Sequence, residues 1–467
     1  MANIQVLDRE PLASKRFGAN SRAVAWAVAG VAMVGLMLAP ALWNGFPIIF
    51  PDTGGYFTAP MVRELANGRS ALYGLFLDAG IPYAFWPCVA AQAALMAWLF
   101  AVTLRVNGLA GRPWLALGIV ALLCLTTSLP WFAGQLMPDI LFAALALALY
   151  LLAYGEAQLA RWERWALGAI VAFAMASHMA ALGMALAVLA ALALTQVIML
   201  RLPPARMAFA ALAVAGGVVL CPLSNVVLTG QFAFTPGGAN FLFGRLIEDG
   251  IVSRYLRDHC PDETLQLCQY KNEIQEDADS WLWWGGSPLY KMGGWENFEP
   301  EAKRIIAATL TEYPARHLAT AIDAAIAQFF AFETEVGVDD NQPTYAAIEE
   351  FVPRLYPAFL AARQQTDHFD VSPVNRLHLP VGYLAIAVLA LAMIFHRRLG
   401  LSPQARALGL TLFAALAANA VICGVFSHPV DRYQSRLVLL VPFAAAVVIM
   451  LALRRFIRPQ RTDAAML

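Results

Sequence analysis

Charged residues are scarce in this sequence of 467 residues. Only 14% of the residues are Asp, Glu, Lys or Arg, whereas 60% are hydrophobic. The 32 basic and 32 acidic residues cancel, so the chain lacks the basic field that nucleic-acid binding needs. We therefore expect no nucleic-acid partner, and the composition excludes an ordinary soluble globular protein.

Cysteine is also rare, with six residues in the whole chain. Four of them lie in apolar runs, where a thiol is expected to act as a small packing group: Cys88, Cys124, Cys221 and Cys423. The other two, Cys260 and Cys268, enclose the short stretch "CPDETLQLC", for which we predict a disulfide. The alternative is a metal site that includes His259, although no second ligand pair stands at zinc spacing.

Long uncharged runs are what the sequence does contain. The first, residues 23–43, is long enough for one helical span, and it follows Arg9, Lys15, Arg16 and Arg22. Basic residues favour the cytoplasmic side, so we predict a cytoplasmic N-terminus. The run is too long for a secretory signal and lacks a cleavage pattern, so we expect a retained helix. Further runs cover residues 81–104, 113–130, 140–154, 165–200, 207–227, 379–395, 407–426 and 437–453.

The run at 165–200 is about twice the length that one span needs. His178 is its only titratable residue, so we predict two short helices that turn near Ser177 and His178. Arginines flank both of its ends and also follow the last run: Arg161, Arg164, Arg201, Arg206, Arg454, Arg455, Arg458 and Arg461. We therefore predict an all-α polytopic membrane protein with about ten transmembrane helices and both termini in the cytoplasm. A bacterial inner membrane is the expected location.

This topology divides the chain into three parts. Residues 1–227 form an N-terminal transmembrane module, residues 228–378 form a periplasmic segment, and residues 379–467 form the C-terminal transmembrane helices. The tryptophans of the middle part predict an ordered region against the membrane surface: Trp281, Trp283, Trp284 and Trp295. Within it, residues 301–330 predict two interfacial helices separated at Pro314.

The first outer loop, residues 44–80, contains an acidic residue directly after the first apolar run. Asp52 stands in "FPDTGGYF", where Gly54 and Gly55 permit unusual backbone angles or a close approach. The following stretch, 57–77, has the polar and apolar alternation of one helix lying in the interface. The simplest alternative to a functional role is that Asp52 caps this helix.

A second aspartate, Asp139, stands in "MPDIL" at the outer start of another apolar run. A helix cap is again the simplest alternative. Two carboxylates at the same depth near lipid are costly, however, and such groups tend to line water-filled functional cavities. There a carboxylate can accept a proton from a hydroxyl group or hold a metal ion.

The last outer loop, "SHPVDRYQSR", supplies complementary cations. Arg432 and Arg436, with His428 and Tyr433, form a candidate phosphate-binding set, because arginine pairs a phosphate through two parallel hydrogen bonds. Simple snorkelling is the alternative for the arginines, although the positive-inside bias works against it on this side. His178 is either a packed histidine or a substrate-binding residue.

These residues resemble the GT-C superfamily of integral-membrane glycosyltransferases. The resemblance rests on the "PDTGGY" loop, the "MPDIL" site, the outer membrane-associated segment and the late "RY" loop. It implies transfer of a sugar, with inversion, from a polyprenyl-phosphate or polyprenyl-diphosphate donor to an outer acceptor. It also implies that Asp52 is the catalytic base or a metal ligand, that Asp139 is the second acidic residue, and that Arg432 binds the donor phosphate.

The chain departs from parts of the superfamily. Asp52 has no second acid beside it, unlike the paired-acid form of protein mannosyltransferases, and "SWLWWGG" lacks the aspartate of the oligosaccharyltransferase motif. A lipid or glycan acceptor is therefore expected, and a divalent metal ion is left open as a cofactor. The alternatives are a transporter or flippase of a lipid-linked substrate and a non-catalytic scaffold. The near absence of charge within the spans argues against transport.

Overall fold

The computed structural model describes residues 12–198, 207–335, 342–366 and 369–457. Within these ranges the chain is helical, and the one β contact is an isolated parallel bridge between Ile48 and Gln135. Five helical stretches are long and apolar enough to cross a membrane: Trp86–Val106, Met207–Thr229, Ser372–Ile394, Pro403–Phe426 and Asp431–Arg455. Shorter apolar helices cover Ser21–Met37, Pro113–Thr126, Ile140–Tyr154 and Met179–Thr195. The prediction of a helical membrane protein is confirmed, and the number of about ten spans stays a prediction.

Eleven α-helices are described in the N-terminal part: α1 Leu12–Met37, α2 Ala39–Asn44, α3 Thr58–Val62, α4 Ala71–Asp78, α5 Trp86–Val106, α6 Pro113–Thr126, α7 Leu129–Ala133, α8 Ile140–Tyr154, α9 Arg161–Ser177, α10 Met179–Ile198 and α11 Met207–Thr229. Short 3-10 turns cover Gly54–Tyr56, Ile81–Tyr83 and Glu156–Gln158. Helix α8 is buried along its whole length, so it lies at the centre of the transmembrane part.

The remaining helices follow in two groups. The middle segment contains α12 Gly238–Glu248, α13 Ile251–His259, α14 Ala278–Trp283, α15 Pro288–Lys291, α16 Gly294–Glu312, α17 Pro314–Phe330, α18 Gln342–Phe351, α19 Tyr356–Leu360 and α20 Arg363–Thr366, with a 3-10 turn at Gln266–Tyr270. The C-terminal part contains α21 Ser372–Ile394, α22 His396–Leu399, α23 Pro403–Phe426, α24 Asp431–Val438 and α25 Leu440–Ile457.

The predicted turn in the run 165–200 is confirmed. Helix α9 ends at Ser177, the backbone is extended at His178, and α10 starts at the next residue. The other ends of the two helices lie together at one end of the molecule. The ring of Trp165 packs on Phe209 at the start of α11, with 5.1 Å between centroids, and Thr195 hydrogen-bonds Tyr154 at the end of α8. Helices α9 and α10 therefore form a hairpin.

The end of the molecule opposite this turn is basic. Arg105 at the end of α5 donates to both carboxylate oxygens of Glu163, at 2.7 and 2.6 Å, and Arg454 donates to the main-chain oxygen of Gly108 at 2.9 Å. The flanking residues Arg9, Arg201, Arg206, Arg458 and Arg461 lie outside the described residues.

The middle segment has its own core. The rings of Phe243, Trp281 and Phe298 pack with centroids 5.0 to 5.4 Å apart. Cys260 and Cys268 form the predicted disulfide at the edge of this core. An ordered region, as the tryptophans predicted, therefore occupies residues 238–313.

The break at Pro314 is also present, between α16 and α17. One face of α17 packs on α23. The opposite face leaves a row of large apolar side chains 50 to 64% exposed: Leu318, Ile322, Ile326 and Phe330. A row of this kind fits a helix in contact with lipid.

Candidate active site

Main-chain hydrogen bonds join the loop that contains Asp52 to the loop that precedes α8. The N–H of Ile48 donates to the oxygen of Gly134, at 2.9 Å, and the N–H of Leu136 donates to the oxygen of Ile48, at 2.9 Å. The Thr53 hydroxyl also donates to the oxygen of Leu136, at 3.2 Å. These bonds hold the two loops together and bring the two predicted carboxylates to one site.

The middle segment holds the same loop from the other side. The side-chain amide of Gln364 accepts from the N–H of Ile49, at 3.0 Å, and donates to its oxygen, at 2.6 Å. The main-chain N–H of Gln364 donates to Asn44 at 2.8 Å, and the Thr344 hydroxyl donates to the oxygen of Pro51. The position of the Asp52 loop therefore depends on residues about 300 positions later in the chain.

Close packing explains the first glycine of "PDTGGY". Gly54 has a right-handed backbone, and a Cβ atom there would lie 2.9 Å from the Cβ of Ala347. Of the two predicted roles, close approach is the one that the structure supports at Gly54.

Neither aspartate side chain makes a helix-capping hydrogen bond. The turn after Asp52 begins after Thr53, and the Asp52 carboxylate instead pairs with Arg69 and with Nη2 of Arg432, at 2.9 Å for the latter. Asp139 precedes α8 but has helical backbone angles and makes no capping bond. Its Oδ1 accepts from Nη1 of Arg436 at 3.0 Å. Asp52 therefore does not cap the following helix, and Asp139 holds the N-cap position of α8 without a side-chain capping bond.

Arg69 reaches the site because the predicted interfacial helix over 57–77 is interrupted, and the prediction of a single helix there is wrong. Residues 63–70 separate α3 from α4, and Gly68 has a φ of +74° that favours glycine. The N–H of Gly68 donates to the oxygen of Pro236 at 3.0 Å, which fixes the turn. Arg69 then points back over the ring of Tyr56, with Cζ 5.6 Å from its centroid.

Arg432 and Arg436 lie on helix α24 rather than in the predicted loop. They are four residues apart, so they share one face of the helix. Arg436 is fully buried and also donates from Nη2 to Asn419, at 3.1 Å. Nη1 of Arg432 lies 4.0 Å from Oδ2 of Asp139, so Arg432 connects the two carboxylates. We call Asp52, Arg69, Asp139, Arg432 and Arg436 the arginine–aspartate cluster.

Aromatic rings surround the guanidinium groups. The Cζ atom of Arg436 lies 3.3 Å from the ring centroid of Phe142, and that of Arg432 lies 4.1 Å from Phe50. The ring of Tyr433 lies 5.2 Å from both guanidinium carbons, so this predicted residue contacts the cluster through its ring. Such rings attract cations and keep water away from them.

His178 also faces the cluster. Its ring packs edge-on against Phe142, at 5.2 Å, and it lies within electrostatic reach of Asp139 and Arg436. The N–H of Ala180 donates to Nδ1 of His178 at 3.2 Å. Nδ1 is therefore the acceptor, and the neutral ring carries its proton on Nε2, where it is a donor.

His428 lies elsewhere. Its Nε2 is 3.5 Å from Asp279 at the start of α14. Burial lowers the pKa of His428, but the hydrogen bond and charge of Asp279 raise it by more. The structure thus places this predicted phosphate ligand in a contact between the middle segment and the loop before α24.

The cluster has an excess of positive charge and unused donors. Within the five residues of the cluster, three guanidinium groups face two carboxylates, which leaves one net positive charge. Burial raises the pKa of Asp52, but the charges of Arg69 and Arg432 more than offset this and hold it at about 2. Several buried N–H groups have no hydrogen-bond partner in the described part of the chain: Nε of Arg69, Nε and Nη1 of Arg432, and Nε of Arg436. A site of this kind can bind an anion with two or more oxygens.

A divalent metal ion does not fit these residues. Both carboxylates are already neutralised by arginines, and the remaining charge of the cluster repels a cation. Within the described ranges, His, Cys, Asp and Glu side chains form no group of three that could hold a metal. We therefore derive no step through a metal.

Similarity to known proteins does not identify the chain. No family model matches it, and neither a curated protein nor a solved structure matches it. Its function must be inferred from the cluster itself.

Sequence reasoning did not find two further residues of the site. The pattern over 57–77 predicts a regular helix at Arg69, although the Asn67-Gly68 pair before it is a common turn signal. Glu335 accepts a hydrogen bond from the main-chain N–H of Arg432, and burial raises its pKa despite the nearby charge of Arg432. No motif marked Glu335.

Proposed function

We propose that the chain is an inverting membrane glycosyltransferase of the GT-C type. It moves a sugar from a polyprenyl-phosphate or polyprenyl-diphosphate donor to a lipid or glycan acceptor. The observation that carries the proposal is a pair of carboxylates, Asp52 and Asp139, joined by arginines whose buried N–H groups are partly unused. The proposal includes about ten spans in a bacterial inner membrane, both termini in the cytoplasm, and the cluster at the periplasmic face.

The proposed reaction needs one base and one anion site. A hydroxyl oxygen of the acceptor attacks the anomeric carbon and forms the new glycosidic bond, while the carbon–oxygen bond to the donor phosphate breaks. The transition state resembles an oxocarbenium ion. The proton of the hydroxyl passes to Asp52, and the electron pair leaves with the polyprenyl phosphate or diphosphate.

The arginines stabilise the leaving group. Arg432 and Arg69 lie beside Asp52 and carry the unused N–H groups that can bind phosphate oxygens. Arg436 is fully buried on Asp139, so its role is to hold that carboxylate and the helix α24 in position. Asp139 and the Nε2–H of His178 are then available to orient the acceptor or the sugar.

Purified protein provides the first test. The protein is placed in lipid nanodiscs and given the lipid-linked sugars extracted from a strain that lacks the gene. Mass spectrometry follows the release of polyprenyl phosphate or diphosphate and the gain of one sugar by an acceptor. We expect Asp52→Asn to lower the rate about 10²- to 10⁴-fold, as expected for loss of a general base. Asp431→Asn is the matched control, because Asp431 stands next to Arg432 and makes none of the cluster's ion pairs.

Two outcomes would change the proposal. If wild-type protein releases neither polyprenyl phosphate nor polyprenyl diphosphate from any lipid-linked sugar, glycosyl transfer is wrong. If Asp52→Asn is fully active and Glu335→Gln is not, the reaction stands but its base is Glu335.

A further inference from the structure

Both oxygens of the Asp52 carboxylate are engaged in the resting site. Arg69 pairs with Oδ1, and Nη2 of Arg432 donates to Oδ2 at 2.9 Å. Such a carboxylate is a poor proton acceptor, because its negative charge is neutralised twice. The pKa of about 2 agrees with this geometry. A general base works best with a pKa near the working pH, so the ion pairs with the two arginines must weaken before Asp52 can act.

The same arginines are incompletely used. Nε of Arg69, and Nε and Nη1 of Arg432, are buried and have no hydrogen-bond partner within the described residues. The Asp52 side chain is 26% exposed, against 14% for Arg69 and 7% for Arg432, so the site opens to solvent at the carboxylate. A phosphate that enters there meets both guanidinium groups and can take parallel hydrogen bonds from each.

We propose that the donor phosphate competes with Asp52 for Arg69 and Arg432, so that the Asp52 carboxylate is released as a base only after the donor has bound. This inference rests on the proposed function and adds an order to it: donor first, acceptor second. It assigns Arg69 as a phosphate-binding residue. Until the donor binds, the two arginines keep Asp52 inactive as a base.

Arg436 is excluded from this exchange. It is 0% exposed, and it is held by Asp139, by Asn419 and by the ring of Phe142. Its partners remain when Asp52 moves. The exchange therefore involves the Asp52 side of the cluster alone.

The test measures binding of a lipid phosphate without turnover. Full-length protein in phosphatidylcholine nanodiscs is titrated with undecaprenyl phosphate, and undecaprenol, which has the same tail without the phosphate, is the reference. Native mass spectrometry gives the bound fraction for wild type, Asp52→Asn, Arg69→Gln and the matched control Asp431→Asn. Arg69→Lys is a second variant that keeps the charge in case Arg69→Gln does not fold.

If the phosphate competes with Asp52, then Asp52→Asn and Arg69→Gln should change the affinity for undecaprenyl phosphate in opposite directions. We expect Asp52→Asn to tighten binding of undecaprenyl phosphate about tenfold, because the internal competitor has lost its charge, and Arg69→Gln to weaken it about tenfold. Asp431→Asn removes the same charge nearby without freeing an arginine, so its effect should stay within about twofold. Arg69→Lys should weaken binding less than Arg69→Gln, because lysine keeps the positive charge and lacks only the parallel N–H groups of the guanidinium.

Two results overturn the inference and differ from each other. If wild type prefers undecaprenyl phosphate over undecaprenol but Asp52→Asn leaves its affinity unchanged or lower, there is no competition, and the proposed function still stands. If wild type binds undecaprenol as tightly as undecaprenyl phosphate, the phosphate site itself is wrong, and the proposed function fails with it.

Discussion

The buried ion pair between Asp139 and Arg436 gives a sharp prediction about stability. Asp139 is 1% exposed and Arg436 is 0% exposed, and their charged atoms are 3.0 Å apart. Breaking such a pair from one side costs about 3–5 kcal/mol, because the remaining charge stays buried without a counterion. Arg436 keeps a hydrogen bond to Asn419 and the ring of Phe142, so we expect Asp139→Asn to lie near the lower end of that range.

The assay is equilibrium unfolding in mixed micelles, with dodecyl sulfate as the denaturant and tryptophan fluorescence as the signal. The variants are Asp139→Asn, Arg436→Gln and the double substitution. The second substitution removes the charge that the first one left unpaired. The double variant should therefore lose about 2 kcal/mol less free energy of unfolding than the two single variants lose together.

An exposed ion pair serves as the control. Lys303 and Glu299 are 65% and 32% exposed, and Lys303→Gln should cost less than about 1 kcal/mol. If Asp139→Asn and Arg436→Gln also cost less than about 1 kcal/mol, or if their effects simply add, the pair is not desolvated as the structure indicates. The reasoning about the cluster's burial would then be refuted.

Two further predictions concern the contacts around the site. The pKa of His428 is raised above its usual 6.5 by Asp279, so this contact is stable below about pH 6.5 and weakens as the pH rises through the raised value. Hydrogen exchange at 277–283, corrected for intrinsic rates, should increase as the pH is raised above 6.5. Asp279→Asn should remove that dependence, and an unchanged profile in wild type would contradict the prediction. Gln364→Leu leaves the N–H and carbonyl of Ile49 without their partner, which costs about 1–3 kcal/mol per group. Exchange at 48–53 should increase in this variant and stay unchanged in Gln365→Leu, and equal exchange in both would show that Gln364 does not hold the loop.

Local patterns predicted much of the fold. The run at 165–200 was too long for one span and contained one polar position, and the chain does turn at His178. Pro314 separates two helices as a proline should. Cys260 and Cys268 are close in sequence and lie outside the apolar runs, and they form a disulfide. In each case the residues that predict the feature lie within a few positions of it in the sequence.

The candidate site could be predicted only in part. Asp52, Asp139, Arg432 and Arg436 were singled out by their place at one end of the spans, but nothing local shows which aspartate meets which arginine. The partners of the two ion pairs are 380 and 297 residues apart. Arg69 was missed because its neighbours also fit a regular helix, and the turn at 63–70 depends on a contact with Pro236 in another part of the chain.

The most direct test of the account is made in the cell. Envelope glycolipids and polysaccharide are profiled by mass spectrometry in a deletion strain that carries the wild-type gene or Asp52→Asn at equal membrane abundance. We expect one sugar unit to be lost on deletion and to return with wild type but not with Asp52→Asn. If Asp52→Asn restores the unit as fully as wild type does, Asp52 is not the catalytic base and the central claim is contradicted.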